Sequence, residues 1–173
     1  MKVLVTGGTG YLGSAIVREL ARRGHEVVCF ARRASALREQ PGVARVDGDV
    51  RDRQAIERAA RGAGAICHTA ALVSIWRRQR DEFDAVNVGG LENVLAAARS
   101  LRIPRIVYTS SFLARPPAGS DRPMMANDYQ RTKVLADAVG DGDVGDRLVG
   151  QRPSSAIRLT TSLRKKALPS VSS

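Results

Sequence analysis

A chain of 173 residues with 43% hydrophobic content is long enough to bury one ordinary core, so a single domain is expected. No apolar run approaches the roughly 20 residues that a membrane span requires. The net charge of +11 rests on scattered arginines with no basic stripe interleaved with aromatics, which does not indicate a nucleic-acid surface and instead implies a solvated, arginine-rich exterior with some affinity for anions.

The first element is the apolar strand Lys2–Val5, which runs straight into Gly7-Gly8-Thr9-Gly10-Tyr11-Leu12-Gly13. A strand signal at the N-terminus leaves no room for a leader peptide, so a cytoplasmic protein is expected. Each glycine of the Gly-x-x-Gly-x-x-Gly spacing has a physical reason. Gly7 permits the tight strand-to-helix turn, Gly10 lets the backbone approach a pyrophosphate, and Gly13 lets the helix pack closely on the strand. The helix that follows, Tyr11–Arg23, carries Leu12, Ile16, Val17 and Leu20 at helical spacing and would point free N–H groups at the phosphates. A glycine turn without a ligand is the alternative, and the strand–turn–helix–strand context disfavours it.

The second strand, Glu26–Phe30, ends in Ala31-Arg32-Arg33 with no carboxylate. Dinucleotide folds that select NAD place an Asp or Glu at that point for the ribose 2′-hydroxyl, whereas two guanidiniums suit a 2′-phosphate. NADP(H) is therefore favoured and NAD(H) is the alternative; Arg32 and Arg33 as the start of an exposed helix is the bland one. The third strand, Ala44–Asp47, leads into Gly48-Asp49-Val50, where Asp47 and Asp49 also suit turn formation and helix capping.

Helix Arg53–Arg61, strand Ala65–Thr69 and helix Asp81–Leu101 come next, the last with Leu91, Val94, Leu95 and Ala98 as an amphipathic stripe. Cys29 and Cys67 each fall within a strand and are read as small buried hydrophobes in a reducing compartment. The two histidines, His25 and His68, are isolated, so no metal site is indicated. Strand Arg105–Thr109 and helix Asp128–Val139 complete the alternation. The expected fold is α/β, a doubly wound parallel sheet of the Rossmann type, over residues 1–139.

Beyond Val139 the character changes. Gly140-Asp141-Gly142-Asp143-Val144-Gly145-Asp146 reads as a loop, and only Leu148-Val149 and Ala156–Leu159 look strand-like. The Ser-rich, basic end implies that residues 140–173 form an irregular, poorly ordered tail, with a substrate domain missing or rudimentary.

Tyr129 and Lys133 stand four apart on the last helix, so the ammonium can lie beside the phenol. A free tyrosine, with a pKa near ~10, is a poor base at pH 7, and a neighbouring cation brings it toward the working range. Ser111 lies just past the strand Arg105–Thr109, at the carboxyl edge where such sheets bind ligands. Thr109 and Ser110 compete with it as hydroxyl donors, and a solvated helix pair competes with the catalytic reading of Tyr129 and Lys133.

Together these stretches resemble the extended short-chain dehydrogenase/reductases, the NAD-dependent epimerase/dehydratase family, over residues 1–139. The carriers are Thr6–Gly13, Asp47-Gly48-Asp49-Val50, His68-Thr69-Ala70-Ala71, Asn87-Val88-Gly89-Gly90, Val107-Tyr108-Thr109-Ser110-Ser111 and Tyr129-Gln130-Arg131-Thr132-Lys133. Among its members the chain is most similar to the dihydroflavonol-4-reductase-like and hopanoid-associated sugar-epimerase-like ones. The resemblance implies cofactor contacts at Gly7, Thr9, Gly10, Tyr11, Leu12, Gly13, Arg32, Arg33, Thr69, Ala70, Ala71, Asn87, Tyr129 and Lys133, with Asp49 and Val50 at the adenine. It implies catalysis by Ser111, Tyr129 and Lys133, a packing role for His68, and a substrate border near Trp76, Arg77, Arg78 and Arg80. It also leaves a homodimer open.

Two departures stand out. Seventeen residues separate Ser111 from Tyr129, fewer than the family usually has, so the loop Arg115–Asn127 is short. The family also carries a C-terminal substrate domain that Gly140–Ser173 does not resemble. Three functions follow: an NADP(H)-dependent oxidoreductase or epimerase acting on a small hydroxyl or carbonyl substrate, a dinucleotide-binding module with little turnover, or a basic interaction protein on this fold.

Overall fold

The computed structural model describes residues 1–73, 80–144 and 159–161. In β1 (Lys2–Thr6), Val3 and Val5 point to one face and Leu4 to the other, and all three are buried. A strand apolar on both faces belongs in the middle of a parallel sheet covered on both sides. β2 (Glu26–Ala31), β3 (Val43–Asp47), β4 (Ala65–His68) and β5 (Ile106–Thr109) join it, all parallel, in the order β3-β2-β1-β4-β5. The doubly wound sheet expected from the alternating pattern is present. Its order reverses between β1 and β4, the switch point beyond whose carboxyl ends such sheets bind ligands.

α1 (Tyr11–Arg22) covers one face, where Val17 packs with Val3, Val5, Val27 and Cys29. α2 (Arg53–Ala60) covers the other, where Ile56 meets Leu4, Val28, Phe30 and Ile66. The long helix expected over Asp81–Leu101 is interrupted. It runs as α3 (Arg80–Phe83), a π-helical turn (Asp84–Val88) and α4 (Gly89–Ser100). Val94, Ala97 and Ala98 of α4 join the α2 face, while Leu91 and Leu95 pack with Tyr108 and with Ala136 of α5 (Asp128–Val144).

α5 corrects one expectation. Gly140-Asp141-Gly142-Asp143 does not break the chain into a loop; the helix continues through it to Val144. A glycine in a helix costs only about 1 kcal/mol, which an established helix can absorb. A sixth strand, β6 (Leu159–Thr161), pairs antiparallel with β5, Val107 opposite Thr161 and Thr109 opposite Leu159, slightly beyond the strand-like run Ala156–Leu159. Leu148-Val149, Trp76, Arg77 and Arg78 lie outside the described residues. Among the described residues no helix is long and apolar enough to cross a membrane.

Candidate functional site

The glycine turn after β1 divides by what the fold itself requires. Gly7 sits at φ +73°, and a Cβ there would lie 2.6 Å from the backbone nitrogen of Ala70. A Cβ at Gly13 would come within 2.2 Å of the Gly7 carbonyl oxygen and 2.7 Å of Thr69 Oγ1. These two glycines are fixed by close approach inside the protein. Gly10 is not: it has φ −77°, and its Cβ would meet only the Gly7 carbonyl, at 3.3 Å. What glycine leaves at that position is open room over the groove, a cradle that a side chain would partly fill.

The same residue caps α1 without any side-chain hydrogen bond, and the first turn of α1 carries no acidic residue. Its first N–H groups therefore face the groove mouth with the positive end of the helix dipole behind them. This is the chemistry that a pyrophosphate requires, and the residues present fit it. Tyr11 is fully exposed and Leu12 half-buried on α1, and neither lines the groove.

The groove itself, about 280 Å³, runs over the carboxyl ends of β1 to β4. It gathers Gly7, Thr9, Gly10, Arg32, Arg33, Asp49, Val50, Thr69, Ala70 and Ala71 into one lining. Gly48, part of the Asp47–Val50 motif, also lines it, as do Phe30, Leu72, Glu82 and Val86, for which the sequence carried no separate signal. Arg32 and Arg33 are exposed at its rim. The turn that follows them is held by Asp47, which accepts from Ser35 N at 2.8 Å and Ser35 Oγ at 2.7 Å. Arg45 adds a bond to the Leu37 carbonyl at 2.7 Å. Asp49 is already paired: its carboxylate accepts from Arg51 Nη2 at 2.7 Å and Nε at 3.0 Å, which holds it below the usual carboxylate range.

Asn87 lies behind the groove, buried, at the π-helical turn. Its Oδ1 accepts from Leu72 N at 2.7 Å, while its Nδ2 donates to the Leu72 carbonyl at 3.1 Å and to Thr132 Oγ1 at 2.9 Å. Both amide donors are thus occupied within the protein, and Asn87 shapes the loop after β4 instead of facing the groove. Asn93, which the sequence did not single out, does the same for the loop after β3 by donating to the carbonyls of Val50 and Arg51.

The hydroxyls after β5 separate clearly. Ser110 is buried and donates to the Asp137 carboxylate, 2.6 and 2.7 Å from its two oxygens. Ser111 only accepts, from Leu113 N at 3.3 Å, so its own proton is not spent on that contact. Lys133 is buried, and its Nζ donates to Tyr108 Oη and to the Thr109 carbonyl, both at 2.8 Å. Burial pushes it down to about 8, with Asp137 opposing. Tyr129 is half-buried on the same helix, but no hydrogen bond joins it to Lys133. The helical spacing leaves the ammonium a choice of neighbours, and it has taken those on β5.

A family model described as the NAD dependent epimerase/dehydratase family matches residues 3–139. The chain is 40% identical over 148 residues to a sterol demethylase protein B of Methylococcus capsulatus, covering 79% of this chain and 45% of that protein. It is 36% identical over 148 residues to a 2-alkyl-3-oxoalkanoate reductase of Stenotrophomonas maltophilia, covering 82% and 44%. Among solved structures, a short-chain dehydrogenase/reductase superfamily protein of Agrobacterium tumefaciens with bound NAD superposes with a TM-score of 0.70 at 30% identity, over 81% of this chain and 44% of that one. The chain thus spans less than half the length of these relatives.

Proposed function

We propose, from the premise that this chain belongs to the NAD dependent epimerase/dehydratase family, that it binds NADP(H) in the β1–β4 groove and serves oxidoreductase or epimerase chemistry at a hydroxyl or carbonyl carbon. One observation carries the reading: a single groove gathers the glycine turn, both rim arginines and the loops after β3 and β4. When bound, the nicotinamide supplies the hydride acceptor or donor. The rest falls to the chain's own side chains. Gly10 and the first turn of α1 receive the pyrophosphate. Arg32 and Arg33, exposed at the rim just past the end of β2, receive the 2′-phosphate as charge-assisted donors, Asp49 of the same lining being paired with Arg51.

At the substrate oxygen, Tyr129 gives or takes the proton and Ser111 donates a hydrogen bond, Ser110 being committed to Asp137. Lys133 supplies positive charge on the same helix. Cys29 and Cys67 are both free, which fits a reducing compartment such as the cytoplasm. A second reading, a dinucleotide-binding module with little turnover, is favoured by the groove lining, which includes none of Ser111, Tyr129 and Lys133, and by the Lys133 ammonium, which bonds Tyr108 and the Thr109 carbonyl instead of Tyr129.

The test is a fluorescence titration with NADPH and NADH, paired with turnover on a panel of carbonyl compounds. NADPH binds more tightly, and replacing Arg32 and Arg33 together by Ala removes at least tenfold of that preference, since each charge-assisted contact is worth about 1.5–3 kcal/mol. Equal affinities in the unmodified protein would sink the NADP assignment. Binding without turnover selects the second reading, and turnover that survives Tyr129→Phe removes Tyr129 from its role.

A further inference from the structure

Thr6, His68 and Tyr108 are register partners on three adjacent strands, Thr6 beside His68 and His68 beside Tyr108. All three are buried. Thr6 Oγ1 and His68 Nδ1 share a hydrogen bond of 2.6 Å, and the imidazole stacks on the Tyr108 ring at a centroid distance of 5.9 Å and an interplanar angle of 23°. The row ends at Lys133, whose Nζ donates to Tyr108 Oη and lies 4.5 Å from the centre of that ring. A line of side chains therefore crosses the carboxyl edge of the sheet and terminates on one ammonium.

Only the end of that row is charged at neutral pH. Burial and the nearby Lys133 cation push His68 down to about 3, so the imidazole is neutral, and its Nε2 is buried without a hydrogen-bond partner. The groups that act on Lys133 are His68 from β4, Tyr108 from β5 and Asp137 from its own helix, while Tyr129 of that helix acts on Tyr108. Of these, Tyr108 alone offers the ammonium both an acceptor oxygen at 2.8 Å and an aromatic face. A cation withdrawn from water is held by just such paired contacts.

We propose that Tyr108, backed by the His68 stack, is a positioning residue that fixes the Lys133 ammonium at the end of β5 and so sets where positive charge stands relative to Ser111 and Tyr129. The assignment rests on the reading of Lys133 as the charge of the hydroxyl site. Nothing in the i, i+4 spacing of Tyr129 and Lys133 demands a tyrosine 25 residues earlier. What selects it is the register, which brings Tyr108 under the lysine.

The full chain contains four lysines, Lys2, Lys133, Lys165 and Lys166. Their side-chain εCH2 signals in a 13C-lysine NMR titration are therefore few enough to follow singly, with Lys133→Met identifying the Lys133 signal. Tyr108→Phe keeps the ring and the stack but removes the acceptor. Its expected effect is a fall in the Lys133 midpoint by about one unit or more, because loss of a hydrogen bond to the charged form favours the neutral amine. Tyr108→Leu removes the ring as well and lowers the midpoint further. A Lys133 midpoint unchanged in Tyr108→Phe overturns the proposal, whatever happens to thermal stability. NADPH titrations on the same samples keep the two readings apart: a shifted midpoint in a protein that binds no NADPH overturns the function and leaves the Tyr108 assignment standing.

Discussion

The neutrality of His68 makes a quantitative prediction about acid stability. The side chain is 1% exposed, and its pKa is pushed from 6.5 to about 3, first by burial and then by the Lys133 cation. Its folded pKa is thus depressed below the unfolded value. Between pH 6.5 and about 3 the unfolded chain binds a proton that the folded chain refuses, so stability is lost as pH falls through that window and is fully present above it. At pH 4.5, two units below the unfolded pKa, the loss is about two pKa units at about 1.4 kcal/mol each, or roughly 2–3 kcal/mol. Carboxylates such as Asp47 and Asp49, whose pKa values are also lowered, lose stability in the same direction and must be subtracted. His68→Asn does this: its amide keeps a polar atom near the Thr6 hydroxyl and cannot titrate. Urea unfolding of both proteins at pH 7.5 and 4.5, followed by circular dichroism, should show the unmodified chain losing about 2–3 kcal/mol more than the variant. Parallel pH dependences would refute the argument and show that the imidazole accepts its proton in the folded state.

The glycine turn gives a paired prediction. Gly13→Ala forces a methyl group to within 2.2 Å of the Gly7 carbonyl and should lower Tm by several degrees, whereas Gly10→Ala needs only a few tenths of an ångström of relief and should leave Tm nearly unchanged. NADPH affinity should nevertheless fall at least tenfold in Gly10→Ala; unchanged binding there would mean that the pyrophosphate does not approach this turn. Asn87→Ala strips partners from Leu72 and Thr132 at once and should cost about 2–4 kcal/mol in urea unfolding, since buried polar groups left unpaired carry their full desolvation penalty.

Much of the scaffold was legible because its signals are local. Leu4 between Val3 and Val5, the glycine spacing and the apolar stripe of the helix after β4 each depend on residues within one or two turns of one another, and periodicity reports such things directly. The π-helical turn was not legible, because an extra residue in one turn leaves the flanking apolar spacing almost intact. Nor was the run of α5 past Gly140, where an established helix overrides local propensity. Within the site, motifs found ten of the groove's lining residues but not Phe30, Leu72, Glu82 or Val86, and they also named Tyr11, Leu12, Gly13, Asn87, Tyr129 and Lys133, which do not line it; the bonds that hold the groove's loops were missed. Asp47 to Ser35 and Asn93 to the Val50 carbonyl join residues 12 and 43 positions apart, at spacings no periodic pattern encodes.

Lys133 shows most plainly where such reasoning stops. Helical spacing states which residues share a face, and on that ground the lysine belongs beside Tyr129. Whether it turns there depends on what lies under the helix, and under α5 lie Tyr108 Oη and the Thr109 carbonyl. The same helix is tied to the groove through its neighbour Thr132, whose hydroxyl accepts from Asn87 while Asn87 grips Leu72 from both sides. Leu72 in turn follows Thr69, whose hydroxyl bonds the Thr6 carbonyl, and Ala70, against which Gly7 packs. The loop after β4 is therefore held by the glycine turn on one side and by α5 on the other. Through Asn87 and Thr132 a continuous path of hydrogen bonds thus joins Leu72, which lines the groove, to the helix that bears both Tyr129 and Lys133.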